Sequence, residues 1–218
     1  MRTILITGGA GFIGSNFVRH LYDRYPHYRI LVLDALTYAG SVANLPGSGQ
    51  DNSRFEFWYG NVLNADLVDA LVRQSDIVFH FAAESHVTRS IFDNRQFFET
   101  DVLGTQVVAN SVLRNQPKVK LFVHISTSEV YGTAVGPLMD EDHPTNPMSP
   151  YAAAKAACWQ ACRYYRERGM HVSTGIFFNH DSPKRKDGYL LQRIARQAAD
   201  VALCNTDHVT VAGPLDFE

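Results

Sequence analysis

Apolar positions in this 218-residue chain gather into short runs separated by longer amphipathic stretches. Residues 4–6 (Ile-Leu-Ile), 29–33, 55–59, 76–83, 120–125 and 172–178 are rich in β-branched and aromatic side chains and read as buried strands. Residues 15–22, 65–74, 97–114, 150–168 and 189–200 read as helices. Ser149 is a good N-cap and Pro150 a good first helical residue, which fixes the start of the fourth helix. Glycine, serine, asparagine and proline mark loops at 37–53 and 137–150. Strands alternate with helices and no period repeats. The pattern predicts an α/β fold with a doubly wound parallel sheet, covered by helices on both faces. In such folds ligands bind beyond the carboxyl ends of the strands.

Composition narrows the class. Twenty Lys and Arg stand against 22 Asp and Glu, a formal net charge of −2. That balance gives no electrostatic reason to expect nucleic acid or an anionic membrane surface as a partner. No apolar run approaches the length of a membrane span. The first strand begins at once, so no signal peptide is expected. Cys158, Cys162 and Cys204 form neither a disulfide framework nor a zinc pattern, and no metal site is expected. Together these point to a cytoplasmic protein.

Candidate chemistry starts where the first strand ends. Gly9, Gly11 and Gly14 fit G-x-G-x-x-G, and Gly8, Gly11 and Gly14 fit G-x-x-G-x-x-G. Glycine there allows a tight strand-to-helix turn, close backbone approach to a pyrophosphate and close helix–strand packing. Asp34 ends the second strand at the spacing that suits the ribose hydroxyls of an adenosine. A carboxylate there repels a 2′-phosphate, so NAD is favoured over NADP. The fold class is therefore Rossmann-type. Tyr151 and Lys155 are four apart on one helix and share a face. A free tyrosine, with a pKa of about 10, is a poor base. A nearby ammonium and a cationic nicotinamide favour its phenolate and make it a candidate general base.

Four motifs carry a family resemblance: Thr-Gly-Gly-Ala-Gly-Phe-Ile-Gly (7–14), Ala-Ala-Glu-Ser-His-Val (82–87), Ser-Thr-Ser-Glu-Val-Tyr-Gly (126–132) and Tyr-Ala-Ala-Ala-Lys (151–155). They resemble those of the extended short-chain dehydrogenase/reductases, and among these the nucleotide-sugar 4,6-dehydratases. Residues 34–40 and 82–90 look like dTDP-glucose 4,6-dehydratase. Thr127-Ser128-Glu129 and residues 179–185 look like GDP-mannose 4,6-dehydratase, because the dTDP-glucose enzyme carries Asp where Ser128 stands. The resemblance thus leans to a GDP-mannose-type active site on an NAD-type cleft.

The resemblance implies roles residue by residue. Tyr151 removes the sugar O4 proton, Thr127 hydrogen-bonds O4, and Lys155 orients the nicotinamide ribose. Glu129 removes the C5 proton, and Glu129 or a Ser128-linked proton assists loss of water from C6. Cofactor contacts fall to Gly8, Gly11, Phe12, Ile13 and Gly14, then Asp34, Ala35, Leu36 and Thr37. They continue through Asn61, Val62, Ala82, Ala83, Ser85, Thr100, Tyr151, Lys155 and His180. Glu84, Thr127, Asn179 and Arg185 approach the nucleotide sugar. Asn61 departs from the aspartate both branches usually carry. His86 and His124 read as packed residues, not acid–base catalysts. A homodimer is implied, through the helices at 97–114 and 150–168. Residues 1–178 form the NAD-binding domain, and 179–218 begin a nucleotide-sugar-binding region that the family continues beyond this chain. A nucleotide-sugar 4-epimerase or reductase, and a non-catalytic dinucleotide-binding fragment, are the alternatives.

Overall fold

The computed structural model describes residues 1–46, 53–133, 139–183, 185 and 189–208. The expected loops at 37–53 and 137–150 lie partly outside these residues, as do Lys184 and the expected sugar-binding segment after residue 208. The chain divides into two compact units, Met1–Asn179 and His180–Glu218.

In the first unit, six parallel strands stand in the order β3-β2-β1-β4-β5-β6. They are β1 (Arg2–Thr7), β2 (Tyr28–Asp34), β3 (Phe55–Tyr59), β4 (Ile77–His80), β5 (Leu121–Thr127) and β6 (Val172–Phe177). The order reverses between β1 and β4, which opens a crevice beyond their carboxyl ends. Side chains alternate across the sheet. Ile4, Ile6, Ile30 and Val32 pack under α1 (Phe12–Arg24) with Val18 and Leu21. Leu5, Leu31, Leu33, Val78 and Phe122 face the other way. They meet α2 (Ala65–Val72), α5 (Gly104–Arg114) and α6 (Pro150–Glu167) through Val68, Val108, Val112 and Cys162. The double winding expected from the sequence is therefore present.

The helix expected at 97–114 is broken up. A short α3 (Val87–Phe92) and α4 (Arg95–Phe97) precede a π-helical turn, Phe98–Leu103, and only then does α5 begin. Strand four stops at His80 instead of continuing to residue 83, and β5 runs on through Thr127. Ser149 caps α6 as expected, its hydroxyl accepting the Ala152 N–H at 3.1 Å. Asp69 latches α2 to α5, accepting the Ser111 hydroxyl at 2.8 Å and the Asn115 amide at 3.1 Å. In the second unit, α7 (Leu190–Ala202) follows an irregular stretch. Among the described residues no helix is long and apolar enough to cross a membrane.

Two glycines make the first turn possible. Gly8 has φ +70°, and a Cβ there would meet the Ala82 backbone nitrogen at 2.5 Å. A Cβ on Gly14 would run into the Gly8 carbonyl oxygen. Backbone atoms cannot swing aside, so Gly14→Ala is expected to cost about 1–3 kcal/mol as an overpacked site. Chemical denaturation of the purified variant measures that loss.

Candidate functional site

The first half of the site grows from the tips of β1 and β2. The chain leaves β1 at Thr7, turns through Gly8, and the Gly11 N–H donates to the Gly8 carbonyl at 3.2 Å. Gly11 then caps α1 with no side chain, and a Cβ on it would meet only the Gly8 carbonyl, at 3.4 Å. This backbone turn at a helix N-terminus, with open space above it, suits a pyrophosphate. At Gly8 and Gly14 a side chain would meet backbone, whereas at Gly9 it would meet the Val32 side chain, at 2.7 Å.

Asp34 closes the turn from the neighbouring strand. Its Oδ2 accepts the Ala10 N–H at 2.9 Å and its Oδ1 the Leu36 N–H at 2.8 Å. Burial raises its pKa, and those two backbone bonds pull the other way. The aspartate is thus a structural clamp on the turn, and only its remaining lone pairs are available to ribose hydroxyls. Ala35 and Leu36 are half-buried beside it and Thr37 is exposed. Asn61 is exposed, accepting the Leu63 N–H at 2.9 Å, whereas the Val62 side chain is in the core. Only main chain is left at Val62 to meet a ligand. Ala82 and Ala83 are half-buried, and Ser85 is exposed with its N–H donating to the Tyr38 hydroxyl at 3.1 Å. Thr100 is half-buried on the π-helical turn.

The second half lies where β5 meets α6. Thr127 ends β5 near enough to the Tyr151 phenol to lower its pKa, and its hydroxyl accepts the Glu129 N–H at 3.3 Å. Glu129 is exposed, on a 3₁₀ turn with Ser128, and its charge reaches Tyr151. Lys155 is 5% exposed and donates from Nζ to the Ile125 carbonyl at 3.0 Å. Thr127, Glu129 and Lys155 all act electrostatically on the Tyr151 phenol.

Burial is the largest influence on both groups of the pair. Burial pushes the Tyr151 phenol up, and the nearby Lys155 ammonium and Thr127 hydroxyl do not overcome it. Burial also pulls Lys155 down, but Asp101, Tyr151 and the thiols of Cys158 and Cys162 outweigh it, so its pKa is raised. Lysine alone does not activate this tyrosine. A further positive charge, such as an oxidised nicotinamide, would favour the phenolate.

Other positions complete the picture. Glu84 is 6% exposed, its carboxyl raised by burial and opposed by Arg89, so little of it is offered to a sugar. Asn179 is exposed at the end of the first unit. In the second unit, His180 is exposed and Arg185 lies over the Tyr189 ring, 3.7 Å from its centroid. His80 bridges the Thr7 hydroxyl at 2.7 Å and the Thr105 hydroxyl at 3.0 Å. His124 is fully buried. Neither histidine is placed for acid–base work. Among the described residues no group of His, Cys, Asp and Glu is arranged for a metal. The sequence reading missed Asp101, which is fully buried beside Lys155. Its spacing to Phe97 and Thr105, four residues either way, was the available signal of an inward-facing position.

With this strand order, glycine turn and Tyr–Lys pair, the protein falls in the class of extended short-chain dehydrogenase/reductases. More narrowly, it belongs to the GDP-mannose 4,6 dehydratase family, whose model matches residues 5–217. It is similar to a dTDP-glucose 4,6-dehydratase of Streptomyces antibioticus, 44% identical over 83% of this chain and 54% of that protein. It is also similar to the low-salt glycan biosynthesis protein Agl12 of Haloferax volcanii, 46% identical over 90% of this chain and 63% of that one. Among solved structures it resembles the dTDP-glucose 4,6-dehydratase of Streptomyces venezuelae crystallised with NAD. There the TM-score is 0.83 at 40% identity, over 91% of this chain and 62% of the other. A UDP-glucose 4-epimerase of Thermotoga maritima gives a TM-score of 0.80 at 26% identity, over 90% of this chain and 63% of that one. The chain spans 54–63% of the length of these relatives.

Burial, and then the Lys155 charge, push His80 down to about 3, and His124 is pushed well below its ordinary value by the same causes with His80 added. A neutral buried imidazole stabilises the fold above its unfolded pKa, and that contribution is lost as pH falls toward the folded one. Both ring signals are expected to stay fixed in NMR spectra from about pH 8 to about pH 4.5. A midpoint near about 6.5 for either ring contradicts the burial argument.

Proposed function

We propose that the protein to which this chain belongs is a nucleotide-sugar 4,6-dehydratase that uses NAD. The observation that carries the reading is the convergence of Tyr151, Lys155, Thr127 and Glu129. A 4-epimerase needs no base at C5, and Glu129 is the group that chemistry has no use for. The residues fit the cofactor: an open backbone turn at Gly11, a strand-tip Asp34, and a lysine whose buried ammonium faces a tyrosine. When bound, NAD accepts hydride from C4 of the sugar and returns it at C6.

The chain's own residues do the rest. Tyr151 takes the O4 proton, with Thr127 holding the oxygen, and a proton is returned to C5 as hydride is delivered at C6. Lys155 keeps its charge close to the phenol and orients the ribose. The C4 ketone acidifies the C5 proton, which Glu129 removes. Glu129, or Ser128 through a linked proton, then assists departure of water from C6. The product is a 4-keto-6-deoxy sugar. Asn179 and Arg185 remain candidates for the sugar nucleotide, and His180 for the cofactor. In domain terms, residues 1–178 hold cofactor and catalytic groups and 179–218 begin the nucleotide-sugar region.

For the substrate we favour dTDP-glucose over GDP-mannose. The lean to GDP-mannose came from Ser128 and residues 179–185, and the family model carries that name. Relatives at 44% and 40% identity are dTDP-glucose enzymes, and residues 34–40 agree with them. Ser128 then makes Glu129 the only carboxyl on that turn, so one group serves both as base and acid. A homodimer completes the proposal. Phe92 is 86% exposed, Ile91 62% and Leu103 48%, next to the helix expected at its interface. Of the alanines on α6, Ala152 is buried within the chain and Ala157 is exposed.

With NAD and dTDP-glucose, the full-length protein is expected to yield a 4-keto product lacking the C6 hydroxyl, read by mass spectrometry and NMR. A product that keeps that hydroxyl rejects the dehydratase reading. Tyr151→Phe is expected to lower kcat by about 10²–10⁴-fold. Glu129→Gln is expected to stop exchange of the C5 proton with solvent while hydride transfer at C4 remains detectable. In sedimentation at micromolar concentration a dimer is expected, and monomer alone rejects that part.

A further inference from the structure

Below the Tyr151–Lys155 pair lies a carboxyl that the proposed reaction leaves unused. Asp101 is on the π-helical turn, with none of its surface exposed. Its Oδ1 accepts the Glu84 N–H at 2.7 Å, and its Oδ2 has no hydrogen-bond partner. Its backbone carbonyl accepts the Cys158 thiol at 3.1 Å, which fixes the turn against α6. Lys155, Tyr151 and Cys158 face it from α6, and Glu84, with Arg89 behind it, from the segment after β4. His80 on β4 and His124 on β5 border Lys155 and are held neutral. The Lys155 ammonium thus acts on one buried carboxyl and a phenol, and Glu84 adds its charge to that carboxyl.

We propose that Asp101 is a proton-switched positioning residue for the Tyr151–Lys155 pair. With its proton it is a neutral neighbour; without it, it anchors the Lys155 ammonium and opposes ionisation of the Tyr151 phenol. The geometry carries this. A buried carboxylate oxygen with no donor is costly, so the charged form relies on the Lys155 charge within electrostatic reach. The π-helical turn puts the carboxyl there, and such turns are frequent at functional sites. Burial pushes the carboxyl up to about 7; Lys155 and the Glu84 N–H pull down, and the Glu84 charge pushes up. That places the switch near neutrality. Tyr151 feels the result directly, since the Asp101 charge raises it. The inference deepens the dehydratase reading, and its consequence for turnover rests on that reading.

The test uses Asp101→Asn in the full chain. The asparagine oxygen still accepts the Glu84 N–H, so only the titrating charge is lost. A carboxyl whose pKa is raised on folding stabilises fully below its unfolded pKa and loses that contribution as pH rises through the folded one. Tm of the variant minus Tm of the wild type is therefore expected to grow by about 5 °C from about pH 5 to about pH 8.5, mostly before about pH 7. Parallel curves overturn the proposal. Should the variant not fold, NMR titration of the Asp101 carboxyl carbon in the wild type decides: a midpoint at or below about 4.5 overturns it. Coupling to the pair is read in Lys155→Met, where the Asp101 midpoint is expected to rise by about one pH unit, by reciprocity of the interaction. An unmoved midpoint removes the positioning role. None of these readouts needs a substrate, so a failed dehydratase assay leaves them standing. Conversely, a failed titration leaves the dehydratase reading untouched.

Discussion

The structure of the first unit turns on burying one ammonium. Taking a lysine charge out of water costs several kcal/mol, and the cost is offset only by close partners. Lys155 donates to the Ile125 carbonyl, and the Asp101 carboxyl and the Tyr151 phenol lie within electrostatic reach of its charge. Each partner constrains a different element. The carbonyl fixes α6 against β5, the carboxyl fixes the π-helical turn, and the phenol sits one helical turn away on the same face. The Ser149 cap and Pro150 start α6 at the register that makes this possible.

The cofactor side obeys a different constraint, which is steric. Gly8 and Gly14 pack backbone on backbone, and a single methyl has nowhere to go. Asp34 then spends two of its lone pairs on the Ala10 and Leu36 amides, so the turn is rigid before any ligand arrives. A rigid turn at a helix N-terminus loses little entropy on binding an anion. The two halves meet across the crevice where the strand order reverses, and so one molecule can span a pyrophosphate site and a proton-transfer site.

The phenol's behaviour links the halves. Lys155 alone leaves Tyr151 raised, because burial outweighs one neighbouring charge and Asp101 and Glu129 add to it. A cation joining the site would favour its ionised form. Under the proposed reaction, loss of the O4 proton is thereby coupled to the oxidised state of the coenzyme, since the carbon bearing O4 gives up hydride in the same step. The family likeness of residues 5–217 covers both halves.

Much was legible in the sequence. The strands at 29–33 and 55–59, the double winding, the turn at Gly8–Gly14 and the pairing of Tyr151 with Lys155 all follow from local pattern. Strand periodicity, glycine sterics and helix spacing act over fewer than about ten residues, so a linear reading captures them. The break of the helix at 97–114 was not legible, because a π-helical turn is chosen by what packs on it, here α6 through Cys158 and Lys155. The burial of Asp101 and Glu84, the clamp role of Asp34 and the raised phenol escaped for the same reason. Each depends on charge and desolvation contributed by residues from 17 to 57 positions away, which only the folded chain brings together.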